Sequence, residues 1–156
     1  MKTAIENHQV VIRKVTEADC AQLLGMVQGL AVHHDDVAKA SLQTLRRDVL
    51  GDAPWLRVLI ALIGDAPVGY IALCPLAQMQ FGVRGMDMHH LFVKAGFRGR
   101  GIGGQLIGAA KQKARGLGCD FMMVGTHPDN RAAQAFYLSQ GFTLRHQTDP
   151  RFRLVL

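Results

Sequence analysis

Aromatic residues are scarce in this sequence, at 6% of 156, and they are not interleaved with a Lys/Arg block. That composition argues against a stacking platform for nucleic-acid bases. The three cysteines, Cys20, Cys74 and Cys119, are scattered and odd in number, which excludes a complete disulfide framework and offers no C-x-x-C pair. No apolar run is long enough to span a bilayer, and the first residues, MKTAIENHQVVIRK, lack a signal-peptide core. There is no low-complexity tract, linker or internal repeat. These absences point to one compact domain over residues 1–156 in a reducing, cytoplasmic setting, with each cysteine a small core residue.

What is present is an ordinary globular balance, 49% hydrophobic and 19% charged, with a net charge of +6. That charge favours anionic partners. A phosphate-bearing cosubstrate accounts for it at least as well as nucleic acid does, and neither nucleic acid nor a membrane is expected as a partner.

The hydrophobic pattern alternates between short β-branched runs and helical periodicities. HQVVIRKV reads as a strand. Thr16, with Asp19 three residues on, opens a helix through His34, and Ser41 opens a second one ending at Gly51. WLRVLIALI and VGYIALCPLAQM form a hairpin across GDAP, with Pro75 marking a bulge or an edge. GMDMHHLFVK is a strand, GIGGQLIGAAKQKARGLG a helix, CDFMMVGT a strand, and DNRAAQAFYLSQ a helix closed by Gly141. FTLRHQ and RFRLVL complete the order as two last strands. The fold class is α/β: a mixed, mostly antiparallel sheet of six to seven strands flanked by about four helices.

The densest signal is MHHLFVKAGFRGRGIGGQLIGAAKQKA, Met88 to Ala114, where Gly99, Gly101, Gly103 and Gly104 fall within six residues, beside Arg98 and Arg100. A helix N-terminus leaves backbone N–H groups unpaired at its positive end, and glycines let an anion come close to them. A strand-to-helix junction of this composition reads as a phosphate cradle. Gly99, Gly101 and Gly104 also match the dinucleotide fingerprint G-x-G-x-x-G. However, the carboxylate that should end the next strand is missing, since Asp120 starts it. A P-loop fails because Gln105 stands where lysine is required.

The frame R-x-x-G-x-G fits better, at Arg98, Gly101 and Gly103. Together with NRAAQAFYLSQGF downstream, HLFVKAGFRGRGIGGQLI resembles the GNAT N-acetyltransferase superfamily, and is somewhat similar to its polyamine acetyltransferase branch. The resemblance runs from about Val10 to Gln147. It implies a GNAT-like sheet splayed at a central parallel strand pair, and transfer of an acetyl group from acetyl-CoA to a primary amine. It further implies that Arg98, Gly99, Arg100, Gly101, Ile102, Gly103 and Gly104 hold the CoA pyrophosphate, largely through backbone N–H groups. Leu91, Phe92 and Val93 would line the pantetheine arm, Asn130 would contact that arm, and Tyr137 would protonate the departing thiolate. Ala95 departs from the family pattern, which often has proline there.

The base is a separate question. In MDMHH, strict alternation puts Asp87, His89 and Leu91 on one face and Met88, His90 and Phe92 on the other. The polyamine-type relatives carry a carboxylate where His89 stands. His89 can accept a proton near its ordinary pKa of about 6.5, directly or through water; Asp87, His90 and water remain alternatives. No metal is expected, because adjacent strand histidines diverge and no Cys/His partners are spaced for one. Small enzymes of this class often dimerise through their last strands, so a homodimer is one expected state. The acceptor is expected to be a small-molecule amine, with a protein or peptide amine as the alternative. The competing reading is a non-catalytic sensor module that binds CoA or a dinucleotide.

Overall fold

The computed structural model describes residues 9–146 and 150–156. The chain divides into two compact units, Met1–Gly125 and Thr126–Leu156.

In the first unit, strands β1 (Val10–Lys14), β2 (Arg57–Ile63), β3 (Ala66–Gln78), β4 (Val83–Val93) and β5 (Cys119–Met123) form one sheet in the order β1-β2-β3-β4-β5. All neighbours are antiparallel except β4 and β5, which run parallel. β2 and β3 carry the most continuous apolar sequence and are the most deeply buried strands, as expected of strands covered on both faces. Pairing of β2 with β3 ends at Leu73, so Pro75 lies where β3 has a neighbour only on its β4 side. A missing N–H costs nothing there.

Helices α1 (Cys20–His33) and α2 (Leu42–Val49) cover one face. Leu23, Met26 and Leu30 of α1 and Val49 of α2 pack with Val58, Ile60, Tyr70 and Ala72. Asp19 ties the start of this layer to β1. It accepts from the Thr16 backbone N–H and hydroxyl, and from both terminal nitrogens of Arg13 at 2.7 and 2.9 Å. These charge-assisted bonds hold its carboxyl well below the usual carboxylate range. Ser41 caps α2 by accepting from the Thr44 N–H at 3.2 Å.

Helix α3 (Ile102–Gly116) covers the opposite face through Ile102, Leu106, Ile107, Ala110 and Ala114, all buried. The second unit contains α4 (Arg131–Ser139), closed by Gly141 at φ 89°.

Two expectations are corrected. Residues 142–146 and 151–156 form no strands, and Gln147 and His8 lie outside the described residues. The sheet therefore has five strands among the described residues, not six or seven, and the parallel pair stands at its end rather than at its centre. Both segments alternate in sequence, but alternation supplies only a face; a ladder also requires a partner edge.

Candidate functional site

The site begins where β4 outlasts β5. Their parallel pairing stops at Asp87 opposite Met123, while β4 continues to Val93. From Met88 onward the β5 side of β4 is an unpaired backbone edge among the described residues. Such an edge is a template for an extended, amide-bearing arm.

The same strand carries an irregularity. Ala72 pairs with His90, but the next residue, Leu73, pairs with Met88, which leaves His89 as the extra residue of a β-bulge. The bulge overturns the strict alternation expected from the sequence. Met88, paired with Leu73, and Leu91, paired with Ile71, now share one side; Asp87, His90 and Phe92 share the other. Adjacent histidines do not diverge either: the rings of His89 and His90 stack with centroids 4.2 Å apart, 12° from parallel. His89 is exposed and His90 half-buried. The His90 Nδ1 lies 3.0 Å from the Tyr70 hydroxyl. Burial first, then the charges of His89 and His34, lower the His90 pKa to about 4, so this imidazole is neutral at ordinary pH. Burial likewise pushes the Tyr70 hydroxyl up.

Side chains at the end of β4 are committed to the two hydrophobic layers. The Phe92 ring packs toward α1, close enough that a Cβ on Gly29 would stand 3.1 Å from it. Val93 and Leu106 both close on Gly69, which puts Val93 on the α3 side. Leu91, Phe92 and Val93 thus offer an arm their backbone edge more than their side chains.

After β4 the chain makes a 3-10 turn at Ala95–Phe97 and enters the glycine loop. Gly99 and Gly101 have φ of 74° and 77°, the left-handed region that side chains disfavour. Gly101 is the N-cap of α3, and its carbonyl accepts from Gln105 N at 3.1 Å. The N–H groups of Ile102, Gly103 and Gly104 therefore fall in the first turn, where a helix supplies no acceptor. Ile102 is 2% exposed, so only its backbone can face an anion. Arg98 is turned back: its Nε donates to the Val93 carbonyl at 2.8 Å, and its guanidinium lies 5.8 Å from the Phe92 ring centroid. Arg100 lies over Phe97 at 5.3 Å. The residues present fit a diphosphate: open N–H groups at the positive end of a fifteen-residue helix, with Arg98 and Arg100 in the loop that leads into it.

A cavity of about 270 Å³ opens between α1 and the end of β4, lined by Gln22, Gly25, Met26, Phe92 and Lys94. A larger one of about 380 Å³ is walled by Arg47, Asp48, Ala53 and Trp55. Trp55 is 76% exposed and is no part of the core. Among the described residues, no three His, Cys, Asp or Glu side chains are placed to hold a metal ion, and no helix is long and apolar enough to cross a membrane.

In the second unit, Asn130 caps α4 by accepting from Ala133 N at 3.0 Å, leaving its amide nitrogen to donate elsewhere. Tyr137 is half-buried and meets the Phe142 ring edge-on at 6.0 Å. Burial raises the pKa of its hydroxyl, which keeps it protonated at neutral pH.

The structure thus brings His89, His90 and the unpaired edge of β4 together with the glycine loop in one unit, and places Asn130 and Tyr137 on one helix in the other. Sequence reasoning missed Tyr70 and the bulge at His89. Tyr70 stands twenty residues before His90 and becomes its diagonal neighbour only through the β3–β4 register; no local pattern announces that.

Comparison with known proteins adds to this geometry. A family model described as the acetyltransferase (GNAT) family matches residues 20–142. The chain is 30% identical over 142 residues to the thialysine N-epsilon-acetyltransferase of Bos taurus, covering 85% of this chain and 83% of that relative. The protein of the same name from Mus musculus is 28% identical over 136 residues, covering 81% and 79%. Among solved structures, an integron cassette protein from the mobile metagenome of V. cholerae matches with a TM-score of 0.76 at 26% identity, over 92% of both chains. An aminoglycoside acetyltransferase from an uncultured soil sample, solved with trehalose, reaches a TM-score of 0.80 at 19% identity, over 97% of this chain and 99% of that one, a likeness of fold alone.

Proposed function

Because the chain belongs to the acetyltransferase (GNAT) family and is an acyltransferase, we propose that it transfers an acetyl group from acetyl-CoA to a primary amine of a small molecule, in a single ternary complex with residues 1–156 acting as one domain. The observation that carries this reading is the glycine loop: Gly99 and Gly101 at positive φ, opening α3 directly after an unpaired strand edge. The loop from Arg98 to Gly104 would hold the diphosphate by backbone N–H groups, and the β4 edge at Leu91–Val93 would pair with the amide-bearing arm.

Acetyl-CoA supplies the thioester; the chain supplies protons and position. The acceptor is an ammonium at neutral pH and must lose a proton before its nitrogen can attack. His89, exposed beside the end of the sheet pairing, is the proposed recipient. The nitrogen then bonds to the acetyl carbon, the C–S bond breaks, Tyr137 gives its proton to the sulfur, and the second proton that the attacking nitrogen sheds returns through solvent to the Tyr137 oxygen. A backbone N–H of the β4 edge near Leu91 would donate to the oxyanion between these events. The amine class is supported by the relatives named for thialysine.

The test is a panel of amines with free-thiol detection, run beside calorimetry with acetyl-CoA. Gly101→Asp is the informative variant, since aspartate tolerates the left-handed conformation better than most residues yet sets a carboxylate at the phosphate position. Loss of acetyl-CoA binding is expected; unchanged affinity refutes the cradle. Tight binding of CoA with no thiol released from any amine would instead establish the sensor module.

A further inference from the structure

Four residues from three parts of the fold gather on the α1 side of the sheet: Tyr70 of β3, His89 and His90 of β4, and His34 just past α1. The Tyr70 ring is 1% exposed, and its hydroxyl sits 3.0 Å from the His90 Nδ1. A buried hydroxyl requires an acceptor for its proton, and among the described residues His90 is the acceptor available. The Tyr70 O–H therefore donates to Nδ1. In a neutral imidazole that assignment, inferred from the hydrogen-bond network, puts the ring proton on Nε2. His90 then has no free lone pair and cannot accept a proton from an amine. Its burial keeps it neutral.

His89 is in the opposite situation. It is the extra residue of the bulge and is exposed, yet its ring lies flat on the His90 ring at 4.2 Å. An exposed side chain normally samples several rotamers; a ring stacked on a half-buried neighbour samples fewer. We propose that Tyr70 and His90 are a positioning pair, in which Tyr70 fixes His90 as the neutral Nε2–H tautomer and the fixed His90 ring holds His89 as the group that takes the amine proton. This inference rests on the proposed amine acetylation and deepens it: of Asp87, His89 and His90, it selects His89.

The imidazole nitrogen spectrum of the full chain, labelled with 15N-histidine, tests the lock without any variant in the protein observed. His90, assigned through the signals lost in His90→Asn, is expected to show a protonated Nε2 and a bare Nδ1 at neutral pH. Tyr70→Phe keeps the ring and removes the hydroxyl. It is expected to mix the two tautomers, lower kcat about fivefold and shift the acid limb of the pH–rate profile, with the KM for acetyl-CoA unchanged. A protonated Nδ1 in the unaltered protein overturns the lock whether or not the enzyme turns over. Mixed tautomers in Tyr70→Phe with unaltered kcat and pH profile overturn the positioning role. An acid limb that does not move in His89→Ala removes the base itself, a failure of the proposed chemistry distinct from a failure of the lock.

Discussion

His89 and His90 are sequence neighbours on one strand, yet their rings stack 4.2 Å apart. Regular β geometry forbids this, because successive side chains leave opposite faces. The bulge at His89 permits it, and sends the half-buried ring of His90 toward Tyr70. A histidine held neutral in this way makes folding depend on pH. Its folded pKa of about 4 lies below the unfolded value of about 6.5. Above about 6.5 both states are neutral and the full stability is present. As pH falls from there toward 4, the unfolded chain binds a proton that the folded chain refuses, and stability is lost. Urea titrations between pH 7 and 4 should show a steeper decline for the unaltered protein than for His90→Asn; parallel curves would contradict the assignment.

Asp19 acts in a lower window, also by a depressed pKa. Its carboxylate contributes stability at every pH above its unfolded pKa of about 3.9, and that contribution disappears as pH falls through the folded value, which lies lower still. Asp19→Asn removes the charge that Arg13 pairs with, and should cost about 2 kcal/mol at pH 7. The cost should shrink in strong acid. Thermal melts at pH 7 and pH 2 check this, and an equal loss at both would rule out the ion pair as the cause.

Gly69 tests the sheet beneath the site. A Cβ there would stand 2.7 Å from the Phe92 carbonyl oxygen, a backbone atom that cannot swing away. Gly69→Ala should therefore push the end of β4 off β3, destabilise by about 1–3 kcal/mol and weaken acetyl-CoA binding, although residue 69 lies on β3, outside the glycine loop. A stable variant with undiminished affinity would show that the unpaired edge is not the binding edge.

Gly101 poses the opposite problem, since no atom lies within 4 Å of its Cβ position and the only obstacle is a φ of 77°. Gly101→Ala should cost about 1–2 kcal/mol, the penalty of a left-handed alanine. Replacing Gly25, which has equal space and no positive φ, should cost nothing comparable. Differential scanning calorimetry of the pair separates conformation from crowding.

For Tyr137, burial keeps the phenol protonated, as an acid must be. Tyr137→Phe should lower kcat roughly 10²-fold, the low end for a lost general acid, while calorimetric affinity for acetyl-CoA stays within about twofold. Turnover equal to the unaltered enzyme would strip the residue of that role.

Much of this was legible in the chain. Ser41 and Gly141 marked helix ends because a cap is a local hydrogen bond and a left-handed residue is a local conformation. The four glycines between Arg98 and Gln105 announced a helix start for the same reason: a left-handed cap and the first turn lie within a few residues. The final strands were misread because alternation in RFRLVL describes a face without naming a partner.

The sequence by itself determined the order of elements as far as α4, the helix-opening loop and the family, since each depends on residues a few positions apart. Only the tertiary structure decided that His89 bulges, that Tyr70 reaches His90, and that β5 stops at Met123 and leaves β4 open. Those are matters of register between residues fifteen or more positions apart, and register is set by which whole faces can be buried together, a quantity no short stretch of sequence contains.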